Sequence, residues 1–100
     1  METNAESKLR LHAIIEGHVQ GVGFRYFVSD QAQRIGLTGW VRNMYDGQVE
    51  VVAEGVRSDL EELLKYLQSG PGGAYVSTVT EDWTPASSEY RRFSIAPTEF

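Results

Sequence analysis

Leu9-Arg10-Leu11-His12-Ala13-Ile14-Ile15-Glu16-Gly17-His18-Val19-Gln20-Gly21-Val22-Gly23-Phe24-Arg25-Tyr26-Phe27-Val28 is the stretch that decides the fold. Positions 9, 11, 13 and 15 are apolar, the period of a strand with one buried face. From Phe24 the period changes. Phe24, Phe27, Val28, Ala32 and Ile35 fall at helical spacing, and Gly36 stands where a left-handed glycine ends a helix. Between the two elements lie Gly17, Gly21 and Gly23. Glycine reaches positive φ without steric cost, so successive backbone N–H groups can turn inward around an anion. The start of the helix adds free donors and a partial positive charge. Arg25 adds a planar fork of donors matched to phosphate oxygens. Residues 17–25 therefore read in one of two ways. They make a tight strand-to-helix turn, or they make a phosphate cradle from Gly17, His18, Val19, Gln20, Gly21, Val22, Gly23, Phe24 and Arg25.

Two familiar phosphate loops are excluded. No Lys-Ser or Lys-Thr pair follows the glycines, so the magnesium ligand of a P-loop is missing. Gly21-Val22-Gly23 begins a G-x-G, but no third glycine follows at the dinucleotide offset, and 100 residues are too few for a full Rossmann sheet.

Downstream, Thr38-Gly39-Trp40-Val41-Arg42-Asn43-Met44 and Gln48-Val49-Glu50-Val51-Val52-Ala53-Glu54 read as two strands joined by Tyr45-Asp46-Gly47, a hairpin signal. Val49, Val51 and Ala53 form the core side of the second strand. Ser58-Asp59-Leu60-Glu61 matches a capping box, followed by the apolar stripe Leu60, Leu63, Leu64 and Leu67 and the stop Gly70-Pro71. Tyr75-Val76-Ser77-Thr78-Val79-Thr80 predicts a strand, Thr84 to Glu89 a turn, and Phe93-Ser94-Ile95 a short last strand. The order β-α-β-β-α-β, with that short final strand, is the ferredoxin-like α+β sandwich: an antiparallel sheet with both helices on one face. Residues 8–96 make one domain; residues 1–7 are expected to be a flexible extension and 97–100 a tail.

Composition narrows the partners. A hydrophobic fraction of 41% and an aromatic fraction of 11% fit a folded domain. There is no cysteine, which removes disulfides and thiolate metal sites and fits a cytoplasmic protein. No apolar run reaches membrane-spanning length. A net charge of −5 argues against nucleic acid, while leaving room for a small phosphorylated ligand that feels only local charge. An RNA-binding sheet of the same element order would need stacking aromatics and a basic face, and neither is here. The acids Asp30, Glu50, Asp59, Glu61, Glu62, Glu81 and Asp82 read as solvated faces, with no histidine arranged beside them as a metal site. His12 reads as an open-face residue and His18 as an exposed loop residue or an added donor to the cradle. Trp40, Tyr45 and Tyr75 fit core, sheet-face or substrate-side positions equally.

Strand alternation places Asn43 on the same face as Val41, one step nearer the turn. A polar amide on the helix side of a sheet needs partners. It either bonds loop backbone or faces the cradle and handles a water. With both motifs quoted, the chain resembles the acylphosphatase family. Residues 17–25 fit that family's G-x-V-Q-G-V-x-F-R without a mismatch, and Gly39-Trp40-Val41-Arg42-Asn43, Asp46-Gly47 and Val49 fit its second motif. The resemblance runs from about residue 9 to residue 95. It implies hydrolysis of acyl phosphates to a carboxylate and inorganic phosphate, with phosphate also acting as an inhibitor. Arg25 is then the phosphate-binding catalytic arginine and Asn43 the catalytic residue that orients water. No metal or cofactor is implied, and the expected protein is a monomer. A non-catalytic phosphate-binding or regulatory domain is the alternative.

Overall fold

The computed structural model describes residues 7–98. The expected extension lies outside the described residues except for Ser7, as do residues 99 and 100 of the expected tail. The chain runs β1 (Leu9–His18), α1 (Phe24–Ile35), β2 (Thr38–Asn43), β3 (Val49–Gly55), α2 (Arg57–Ser69), β4 (Tyr75–Pro85) and β5 (Phe93–Ile95). The strands lie in the order β4-β1-β3-β2-β5. The ferredoxin-like α+β sandwich is therefore present, with one correction. The sheet is mixed, because β5 pairs parallel with β2 while the other three pairings are antiparallel.

The alternating residues Leu11, Ala13 and Ile15 of β1, Val41 of β2 and Val49, Val51 and Ala53 of β3 are fully buried. They meet Phe24, Val28 and Ala32 of α1 and Leu60, Leu63 and Leu67 of α2 in one core. Phe27 packs edge-on against Tyr66 with ring centroids 5.9 Å apart, which ties α1 to α2 on the same face of the sheet. No helix among the described residues is long and apolar enough to cross a membrane.

Three local expectations are corrected. Ser58 does not cap α2. The helix starts directly out of β3, so Val56 in an extended conformation takes the N-cap and Ser58 already lies inside the first turn. The strand expected to end at Thr80 continues to Pro85, because Trp83 turns inward opposite Leu11 while Glu81 and Asp82 stay exposed. Glu50 is not a solvated acid. Its carboxylate lies 2.6 Å from His12 Nε2 and accepts from Arg42 at 2.8 Å on the open sheet face.

That open face is partly roofed. Residues 86–92 strap across it and bury Glu54, whose carboxylate accepts from Arg10 Nε at 2.8 Å, the Ser87 N–H at 2.8 Å, the Ser87 hydroxyl at 3.0 Å and the Ser88 N–H at 2.9 Å. Tyr90 in the strap accepts from Trp40 Nε1 and lies under the Arg10 guanidinium. Burial alone would raise the Glu54 pKa. The donors from Ser87, Arg10 and Ser88 outweigh it and hold the carboxyl below its ordinary value. A depressed native pKa contributes stability above the unfolded value of about 4.3, and that contribution is lost as pH falls through the lower native value. Glu54→Gln is expected to cost about 2 kcal/mol at pH 7, or roughly 10 °C in melting midpoint. The difference from wild type should shrink as pH falls below about 4, as thermal melts at several pH values would show.

Candidate active site

The strand-to-helix connection is set by what its side chains bury. Val19 and Phe24 are 1% exposed and Val22 packs at the core edge, so the loop is pinned at both ends and its middle. Gly17 and His18, expected in the loop, instead form the last two residues of β1, paired with Val76 and Tyr75 after a bulge at Glu16 and Gly17. Gly17 has φ +136°, and a Cβ there would stand 2.1 Å from the Tyr75 carbonyl oxygen. No other residue allows β4 to approach so closely. The loop proper is residues 19–23. Gly23 takes the N-cap of α1 in the left-handed conformation, φ 77°, which turns the chain abruptly into the helix.

This geometry leaves a row of donors unused. The first helical bond is from the Phe27 N–H to the Gly23 carbonyl at 3.0 Å. Among the described residues, no carbonyl accepts from the backbone N–H groups of residues 20–26. No side chain caps α1 and no acid occupies its first turn. The helix start therefore keeps its positive potential for an anion from outside. Arg25 is the second residue of α1 and half-buried. It lies one helical turn before buried Ser29, on the flank where Gln33 Nε2 reaches the Phe93 carbonyl of β5 at 3.1 Å. Among the described residues, no hydrogen bond or ion pair engages the Arg25 guanidinium. In a chain of net charge −5, a half-buried arginine left without a carboxylate among the described residues has its donor fork available to an anion.

Asn43 ends β2 opposite Val49. Its Oδ1 is buried and has no hydrogen-bond partner among the described residues. An unpaired buried acceptor costs about 1–3 kcal/mol unless a donor reaches it. The turn following Asn43 is held to the loop by Gln20, whose Nε2 donates to the Met44 and Gln48 carbonyls at 2.8 Å each. The Gly-rich loop, the start of α1 that carries Arg25 and the end of β2 that carries Asn43 thus lie at one end of the sandwich, although 18 positions separate Arg25 from Asn43 in sequence.

Of the nine residues expected to hold phosphate, the side chains of Val19 and Phe24 face the core and that of Gln20 faces the hairpin turn. What these three can offer is backbone N–H. His18 is exposed on the strand end. Among the described residues, no group of three or more His, Cys, Asp or Glu side chains could hold a metal ion. Tyr26, Tyr45 and Tyr75, the exposed large aromatics, stand beside Arg25, after Asn43 and opposite His18. The sequence alone assigns no side to Tyr45 or Tyr75 and carries no signal for Tyr26.

The fold is that of a ferredoxin-like α+β domain in which a glycine-rich loop runs into the uncapped start of α1. The chain belongs to the acylphosphatase family, whose model matches residues 11–95. It is similar to the acylphosphatase of Caldanaerobacter subterraneus, 44% identical over 88% of this chain and 98% of the relative. Similarity to the acylphosphatase of Salinibacter ruber is 45% identity over 95% of this chain and 98% of the relative. The crystal structure of acylphosphatase from Bacillus subtilis superposes with a TM-score of 0.85 at 38% identity, covering 88% of this chain and 98% of that one.

Proposed function

We propose that this protein hydrolyses small acyl phosphates as a cytoplasmic monomer, with the cradle and Arg25 holding the phosphoryl group and Asn43 orienting the attacking water. The observation that carries the reading is the pairing of unused donors with one unused acceptor. The N–H groups of residues 20–26 and the Arg25 fork suit the equatorial oxygens of a phosphoryl group. Asn43 Oδ1 suits a water proton. Family membership supports the substrate class.

The chemistry is sufficient without a metal or a strong base. Water attacks phosphorus, the bond from phosphorus to the acyl oxygen breaks, and that oxygen leaves as a carboxylate. Its acid has a pKa of about 4, so the leaving group needs no proton. The transition state of phosphoryl transfer is loose and asks little of the nucleophile. Charge stabilisation by Arg25 and the N–H ring, with one amide aiming the water, supplies what remains. A phosphomonoester is different, because its alkoxide departs far less readily and the cradle offers no general acid.

Phosphate release from a synthetic acyl phosphate, compared with an aryl phosphomonoester in excess chelator, tests the reading. Turnover of the acyl phosphate should exceed that of the ester by at least about 10³-fold and should be unchanged by the chelator. Comparable rates, or activity that vanishes with the chelator and returns with added magnesium, would defeat it.

A further inference from the structure

Gln20 stands inside the cradle loop, yet its side chain turns away from the helix start. Both protons of its amide are used: one on the Met44 carbonyl, one on the Gln48 carbonyl, each at 2.8 Å. These carbonyls bracket the turn that connects β2 to β3. The turn is closed on itself by the Met44 N–H to the Gln48 carbonyl at 2.8 Å and by the Gln48 N–H to Asp46 Oδ1 at 3.1 Å. It is a small rigid unit, and Gln20 is its attachment to the loop. Asn43 is the residue immediately before this unit.

We infer that Gln20 is a positioning residue, whose side-chain amide fixes the distance between the phosphoryl cradle and the water-orienting oxygen of Asn43. The inference rests on the role proposed above for Asn43. Three observations support it. The buried neighbour Val19 fixes the base of the side chain. The backbone N–H of Gln20 belongs to the unused row, so one residue serves the cradle with its backbone and the Asn43 turn with its side chain. The two carbonyls also demand a double donor of this length. Glutamate has the shape but no proton to give, asparagine is one methylene too short, and methionine fills the space without donating.

Misplacing a water by a fraction of an ångström lowers the rate while leaving ground-state phosphate binding alone. Gln20→Met is therefore expected to lower kcat by about 10- to 100-fold, with the inhibition constant for inorganic phosphate within about threefold of wild type. Retained phosphate inhibition also shows that the variant is folded. Gln20→Glu should behave alike or worse, since its carboxylate faces two carbonyl oxygens. The decisive step is the cycle with Asn43→Ala. If Gln20 acts through Asn43, adding Gln20→Met to Asn43→Ala should lower kcat by less than about twofold. Losses that multiply in the double variant would overturn the inference, as would unchanged kcat in Gln20→Met. If Asn43→Ala alone keeps full turnover, it is the proposed role of Asn43 that fails.

Discussion

Arg25→Ala is expected to lower kcat/KM by about 10³-fold or more and to abolish inhibition by inorganic phosphate at the same time. The two losses go together because one guanidinium serves both bound states. In the proposed mechanism it contacts the phosphoryl oxygens of the substrate and strengthens that contact as charge spreads in the transition state. Its guanidinium enters no ion pair or hydrogen bond among the described residues. The variant should therefore melt within a few degrees of wild type. Arg25→Lys should recover little, because a point ammonium cannot present two parallel donors. Steady-state kinetics with phosphate as competitor checks both statements, and wild-type turnover in either variant would remove Arg25 from the mechanism.

Asn43→Ala is expected to part the two quantities that Arg25→Ala loses together. Its kcat should fall by about 10²- to 10³-fold, while phosphate still inhibits with near-normal affinity. The substitution removes an amide whose buried oxygen has no partner among the described residues, so stability should change little or rise. Loss of phosphate affinity with turnover preserved would make Asn43 a structural residue.

The shift from a period of two to a helical period at Phe24, with Gly36 behind it, placed β1 and α1 because both elements bury one face and the pattern records burial. Counting from Val41 puts Asn43 on the helix side, and its cross-strand partner Val49 is fully buried in the core. What sequence concealed is set by partners far along the chain. The strap of residues 86–92 has no period of its own, and it docks because the Glu54 carboxylate accepts from the Ser87 and Ser88 N–H groups while Arg10 donates to the Ser87 hydroxyl and to Glu89. The capping motif at Ser58 is sound as a local signal but loses to the exit of β3, which starts the helix at Arg57. Gln20 lay within the quoted motif, yet nothing in a linear pattern tells a side chain that faces phosphate from one that faces a hairpin 24 residues away.

A phosphate-dependent thermal shift tests the division of labour between Arg25 and Asn43 without any substrate. A ligand that binds only the native state adds RT ln(1 + [L]/Kd), about 1.4 kcal/mol at tenfold excess over Kd. For a domain of this size that raises the melting midpoint by roughly 6–10 °C. Melts of wild type, Arg25→Ala and Asn43→Ala in phosphate, each against chloride at matched ionic strength, give the comparison. A full shift is expected in wild type and in Asn43→Ala and almost none in Arg25→Ala. Equal shifts in all three proteins would mean that phosphate acts nonspecifically, and that the loop and Arg25 do not form its site.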